Sequence, residues 1–233
     1  MLTDIFSSFD PATSSLFAYL PSPIFWTLTT LNLLTVAANF WMAPGRLSWA
    51  ISSTISVMME QMSRTTGIHL KGISTLIIPV FILIILVNLT GLIPYVFSTT
   101  SHLLFSLSFG LPLWLALIIS GASKHPYSFM ASLLPGGAPD WLNPFLVLIE
   151  TMSIAVRPIT LSFRLAANMS AGHIILGLIG IYAASALFTS ATSAMALISI
   201  QIIYVMFEMG VCLIQAYIFC LLLSLYSDDH PTH

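Results

Sequence analysis

The chain has 233 residues, of which 58% are hydrophobic and only 6% charged, with a formal net charge of −2. Six basic and eight acidic side chains cannot coat a soluble protein of this size, in which about a quarter of the residues would be charged. Together with a mean hydropathy of +0.99 this places the chain among polytopic α-helical membrane proteins, and the lack of a basic patch excludes a nucleic-acid partner.

The first residues, MLTDIFSSFD, carry acids and no Arg or Lys. They read as neither a secretory signal peptide nor an Arg-rich transit peptide, so insertion through the chain's own helices is expected. A first span is predicted at about Pro23 to Met42. Between Arg46 and Arg64, Leu47, Ile51, Ile55, Met58 and Met62 form one apolar stripe at helical spacing, while Ser48, Ser52, Ser56, Glu60 and Ser63 fall mostly elsewhere. That pattern predicts an interfacial amphipathic helix rather than a span. Further spans are predicted from about Ile73 to Val96 and from about His102 to Ile119. A Pro- and Gly-punctuated loop follows between Gly121 and Trp141, with a short surface helix at Met130 to Leu134. Asn143–Pro144 reads as an N-cap followed by an N1 proline. Apolar helical sequence then runs to about Tyr182, a Ser/Thr-containing stretch lies near Thr189 to Ser193, and a last helix reaches about Tyr226. Cys212 and Cys220 sit in that apolar run as small buried or lipid-facing residues, with no sign of a disulfide or metal site.

The expected fold is thus all-α and polytopic, a single membrane domain over 1–233. It has about five membrane-embedded helices plus one interfacial helix. Arg46, Arg64 and Lys71 follow span one and Lys124 follows span three, so the positive-inside rule puts the N-terminus outside and the C-terminus inside. The helix from Asn143 to Tyr182 would be about 60 Å long, twice the thickness of the hydrocarbon core. A continuous helix of that length must incline by about 60°, beyond the usual tilt range. The alternative is a break at Arg157–Pro158.

Polar residues punctuate both long helices. Glu150, Arg157 and Arg164 are spaced by seven and seven, which keeps them near one helix face with a drift of about 20° per step. Asn168 stays near that face. The last helix repeats the pattern with Gln201, Glu208 and Gln215. Such stripes can be interhelical hydrogen-bonding glue, but glue does not require full charges. An arginine at the bilayer centre costs about 2.5 kcal/mol or more, so Arg164 is expected to face a protein partner or a water-filled cavity. His173 lies roughly opposite Arg164 on its helix, and its imidazole titrates near neutral pH. It is the one histidine well inside a predicted span, which speaks against a bis-histidine haem.

The stretch LSFRLAANMSAGH (Leu161 to His173), followed by FEMGVCLIQAYIF (Phe207 to Phe219), resembles the subunit a family of F-type ATP synthases in its mitochondrial form. NLTGLIPYVF (Asn88 to Phe97) resembles the family's second-span motif, and VLIETMS with Arg157–Pro158 its lead-in to the arginine. The N-terminal 70 residues match in general layout. His173 and Glu208 stand as in the mitochondrial form, whereas bacterial relatives often exchange the acid and the histidine. The resemblance implies a stator subunit that moves protons against a rotating ring of c subunits bearing mid-membrane carboxylates. Other implied partners are further membrane-sector and peripheral-stalk subunits and the lipid of the mitochondrial inner membrane. The N-terminus would lie in the intermembrane space and the C-terminus in the matrix. Arg164 would separate two half-channels, the outer one carrying His173 and Glu208 and the inner one Glu150. Asn168, Gln215 and Asn88 would be polar lining, and Arg157 would pair with Glu150 or with headgroups. No cofactor is implied, and the absence of a G-x-x-x-x-G-K-[ST] run leaves nucleotide chemistry to other subunits. The competing classes are an independent channel or transporter, which often shows internal repeats, a quinone- or haem-binding respiratory subunit, and a voltage sensor, for which two arginines are too few.

Overall fold

The computed structural model describes residues 45–65, 67, 72–94, 96–134 and 140–228, together with positions 9, 23, 24, 26 and 27. The first predicted span lies outside the described residues, apart from Pro23, Ile24, Trp26 and Thr27, which are helical. The elements in chain order are α1 (Arg46–Ser63), α2 (Ile73–Gly91), the 3-10 turn η1 (Thr99–Ser101), α3 (Leu103–Lys124), α4 (Pro126–Ser132), the turn η2 (Asp140–Leu142), α5 (Asn143–Ala186) and α6 (Ala191–Asp228). The fold is all-α. Among the described residues there is no strand, and α2, α3, α5 and α6 are long and apolar enough to cross a membrane.

Helix α1 follows its sequence pattern. Met58 and Met62 are fully buried, while Ser52, Ser56, Glu60 and Ser63 are exposed and Ser48 is half-buried. The stripe packs on α2 and joins a core made by Ile77, Phe81 and Ile84 of α2, Leu161 and Leu165 of α5, and Ala216, Phe219, Cys220 and Leu223 of α6. Gln61 on α1 accepts a hydrogen bond from the Tyr217 hydroxyl at 3.3 Å. The two cysteines are free and buried.

Several boundaries differ from the sequence expectation, each for a local reason. Helix α2 ends at Gly91 rather than Val96, because Pro94 disfavours helical conformation at the residue before it. Helix α3 runs on to Lys124, past Ile119, and stops at His125, which Pro126 forces out of the helical region (φ −136°, ψ 71°). Pro126 then opens α4, so the short helix lies earlier than Met130–Leu134. At the start of α5 the cap position is Leu142 and Asn143 is already helical, with its Oδ1 buried and without a hydrogen-bond partner among the described residues.

Helix α5 is continuous over 44 residues and α6 over 38. At 1.5 Å per residue they are about 66 and 57 Å long. Pro158 does not break α5: it is buried against α3, and the Ser162 hydroxyl donates to its carbonyl at 2.9 Å and to Ser106 O of α3 at 3.3 Å. Gly110 makes this approach possible, since a Cβ there would lie 2.7 Å from Ser162 Oγ. A four-residue turn (187–190) folds α6 back antiparallel to α5, and α2 lies against α6 on its other side.

Candidate functional site

The register between α5 and α6 positions the polar residues. Asn168 Nδ2 donates to Gln215 Oε1 at 2.9 Å, Cys212 Sγ approaches Met169 Sδ at 3.6 Å, and Gly172 faces Glu208. The contacts run antiparallel, with positions 168, 169 and 172 of α5 meeting 215, 212 and 208 of α6. Two chemically different regions result, with Arg164 between them.

Toward the start of α5, Arg157 Nη2 lies 3.5 Å from Glu150 Oε1, both side chains about one-third exposed (31% and 34%). The Arg157 guanidinium stacks over the Tyr226 ring of α6 at 5.4 Å. These three residues line an open cavity of about 380 Å³ with Trp114, Leu117 and Ile118 of α3. The spacing of seven in the sequence thus produces a direct ion pair.

Toward the other end, Glu208 and Tyr204 of α6 meet α5 at Gly172, the residue before His173. Gly172 gives the Glu208 carboxyl its room: a Cβ at that position would fall onto Oε1 and Cδ and lie 2.8 Å from Oε2. Glu208 is buried, its Oε1 has no hydrogen-bond partner among the described residues, and Tyr204 interacts with its carboxyl from one turn earlier. His173 Nε2 is likewise buried and unpartnered among the described residues, with the Phe9 ring at 6.4 Å edge-on. Asn88 of α2 reaches the same region, its Nδ2 donating to Cys212 O at 3.5 Å while its Oδ1 has no partner among the described residues.

Arg164 stands apart from both groups. It is exposed midway along α5, about 21 Å along the axis from Glu150 and about 14 Å from His173. No ion pair reaches it among the described residues. Its neighbours on the exposed face are mostly apolar or small, with Ile159 43% and Phe163 51% exposed and Thr160 and Ala167 also outward, and Asn168 one turn on is the polar exception. A permanent charge is thus displayed on an apolar surface of a membrane protein.

The structure brings together Asn168 with Gln215, Glu150 with Arg157, and Glu208 with the segment around His173. It leaves Arg164 unpaired among the described residues. Gly172, Tyr204 and Tyr226 were not singled out from sequence. Tyr204 lies four residues before Glu208, a spacing that signals contact on a helix, but Gly172 and Tyr226 become informative only through the α5–α6 register. Among the described residues no group of His, Cys, Asp and Glu could hold a metal ion.

Comparison with known proteins gives one consistent answer. The family model described as ATP synthase A chain matches residues 20–228. The chain is 38% identical over 229 residues to ATP synthase subunit a of Artemia franciscana, covering 98% of this chain and 100% of that protein. It is 38% identical over 230 residues to ATP synthase subunit a of Drosophila melanogaster and 36% identical over 231 residues to that of Locusta migratoria, with 98% of this chain and 99% of the relative covered in each case.

Proposed function

The chain belongs to the ATP synthase A chain family, and on that premise we propose that it carries protons through two offset half-channels that meet a rotating c-ring at Arg164. Membership itself gives the coarser role: a proton-translocating part of the F-type ATP synthase membrane sector, multi-pass in the mitochondrial inner membrane. The whole chain, 1–233, works as one membrane domain alongside other membrane-sector and peripheral-stalk subunits, and ATP chemistry takes place on those partners.

The observation that carries the reading is the exposed charge of Arg164 on a largely apolar face, unpaired among the described residues. Arginine does not release its proton in a protein, so Arg164 is not a proton carrier. Left to face lipid, it would cost at least about 2.5 kcal/mol. A mid-membrane carboxylate on a passing ring subunit is the partner of the right charge and depth. An opposite charge a few ångströms away favours the ionised carboxylate, so each ring subunit must discharge before it passes Arg164 and reload after it. The same positive charge repels a proton moving directly between the two sides.

The buried, polar region of Glu208, His173 and Asn88, with the Asn168–Gln215 pair beside it, serves as the outer half-channel. The cavity lined by Glu150, Arg157 and Tyr226 serves as the inner one. Arg157 holds Glu150 at its mouth. With the N-terminus in the intermembrane space and the C-terminus in the matrix, a proton moves past His173 to Glu208 and the ring, and leaves past Glu150 after the ring turns. Each crossing yields about 2.3 kcal/mol per 100 mV of potential, which biases the rotation.

The test is Glu208→Gln in the assembled complex, with proton flux followed in sealed vesicles. Gln keeps the size and hydrogen-bonding capacity but cannot carry a proton. Slow flux with intact assembly supports the relay, and wild-type flux removes Glu208 from it. The isolated chain in liposomes should pass no protons above background. Sustained flux there would instead make it an independent channel.

A further inference from the structure

The turn between α2 and α3 concentrates buried polar atoms that nothing so far uses. Thr99 and Thr100 of η1 are 1% and 0% exposed, and Asn88, near the end of α2, is 0% exposed. Thr99 Oγ1, Thr100 Oγ1, Asn88 Oδ1 and His102 Nε2 are all buried and lack a hydrogen-bond partner among the described residues. A buried hydroxyl, carbonyl or ring nitrogen without a partner is costly, and four of them, two in η1, one just after it and one on α2, are not expected by chance in a stable fold. The neighbouring serines, by contrast, are satisfied locally: Ser101 Oγ donates to Ser98 O at 2.6 Å, and Ser106 Oγ to Leu103 O at 3.0 Å.

These atoms lie on the side of the fold that holds His173 and Glu208. Turn η1 packs directly against α5. A Cβ at Gly91 would touch both Ser98 Cβ, at 3.6 Å, and Met169 Cε, at 3.8 Å, so the chain just before η1 is level with Met169. Met169 in turn contacts Cys212, whose carbonyl holds Asn88. On α5, His173 is one turn beyond Met169 and has its own unpartnered Nε2. The His102 ring is walled on one side by Phe97 at 5.2 Å and by Trp26 at 5.5 Å, which leaves its Nε2 as the polar edge.

We propose that Thr99, Thr100 and His102, together with Asn88, form a hydrated proton inlet that delivers protons to the His173–Glu208 region. The proposal rests on the outer half-channel described above and extends it. Water is the partner that fits, because a buried water makes about three hydrogen bonds and each of these groups offers one. Two threonine hydroxyls, each able both to donate and to accept, can hold a water chain in either orientation. His102 Nε2 takes a proton from one water of the inlet and passes it to the next. One proton enters and one leaves, and no net charge stays on the turn. His102 is a proton carrier in this scheme, and the threonines and Asn88 are positioning residues.

The test uses the assembled ATP synthase in sealed vesicles, with ATP-driven proton pumping and the extent of assembly measured for each variant. Thr99→Val with Thr100→Val keeps the shape and removes both hydroxyls. It should slow pumping by about tenfold, the factor that one well-made hydrogen bond is worth. Thr99→Ser with Thr100→Ser keeps the hydroxyls and should recover most of that loss. His102→Ala should pump slowly, and imidazole supplied on the side where the inlet opens should restore the rate, whereas imidazole on the opposite side should not. A merely structural role for the turn would not respond to imidazole. Wild-type pumping by the valine pair, or a serine pair as slow as the valine pair, would overturn the inlet. Glu208→Gln in the same vesicles separates the two ideas. If it is slow while the valine pair is normal, the inlet alone fails; if both pump normally, the half-channel reading fails with it.

Discussion

Gly172→Ala isolates the close contact between α5 and α6. The added methyl lands on the Glu208 carboxyl, within contact distance of Oε1 and Cδ and 2.8 Å from Oε2, so the carboxyl must move. Overpacking at such a contact costs about 1–3 kcal/mol. Alanine returns about 0.8–1 kcal/mol through its better helix propensity. The balance is a loss of about 0–2 kcal/mol, small enough for the complex to assemble. The functional effect should be larger, because misplacing a reacting group by about 1 Å can cost about a hundredfold in rate. ATP-driven pumping in reconstituted vesicles should therefore fall by about ten- to a hundredfold while native gels still show the complex. Gly177→Ala is the matched control: it lies on the same helix with nothing within 4 Å of its Cβ position, and it should pump normally. Wild-type pumping by an assembled Gly172→Ala complex, with Glu208→Gln slow, would show that this contact does not set the position of Glu208.

Other substitutions probe the remaining parts of the account. Glu150→Gln removes a pair at 3.5 Å whose side chains are one-third exposed, so stability should change by no more than about 1 kcal/mol; flux should nevertheless fall, and unchanged flux would leave Glu150 as a structural partner of Arg157. Gly110→Ala brings a Cβ to 2.7 Å from Ser162 Oγ and should cost about 1–3 kcal/mol, read as a lower melting temperature of the complex. Adding Ser162→Ala should recover part of that loss, because the two positions share one contact; a double variant no more stable than Gly110→Ala alone would mean that the clash lies elsewhere.

The apolar stripe of α1 was readable because its period is local: Met58 and Met62 needed no tertiary knowledge to be marked as buried. The spacing of seven left Arg157 between Glu150 and headgroups, and the structure pairs it with Glu150. The proline positions were ambiguous, because the same residue ends one helix and opens the next. Pro126 read as loop punctuation yet starts α4, and Pro158 read as a candidate break yet lies inside α5. At Pro158 the outcome depends on neighbours far along the chain, Ser106 and Gly110 of α3. The cost of Arg164 in lipid predicted a protein partner or a water-filled cavity for it, whereas its exposed place on α5 became visible only in the fold. Thr99, Thr100 and Gly172 carried no signal in the sequence, because their meaning comes from the register of η1 and α6 against α5.

The central claim is that Arg164 keeps two proton paths apart. The measurement that tests it most directly is Arg164→Ala in the assembled complex, with ATP-driven pumping and passive proton leak followed in the same sealed vesicles. The account predicts intact assembly, loss of coupled pumping and a raised leak, because the charge that stops a proton from slipping between the half-channels is gone. Normal coupled pumping with no added leak would contradict it and make Arg164 a structural residue.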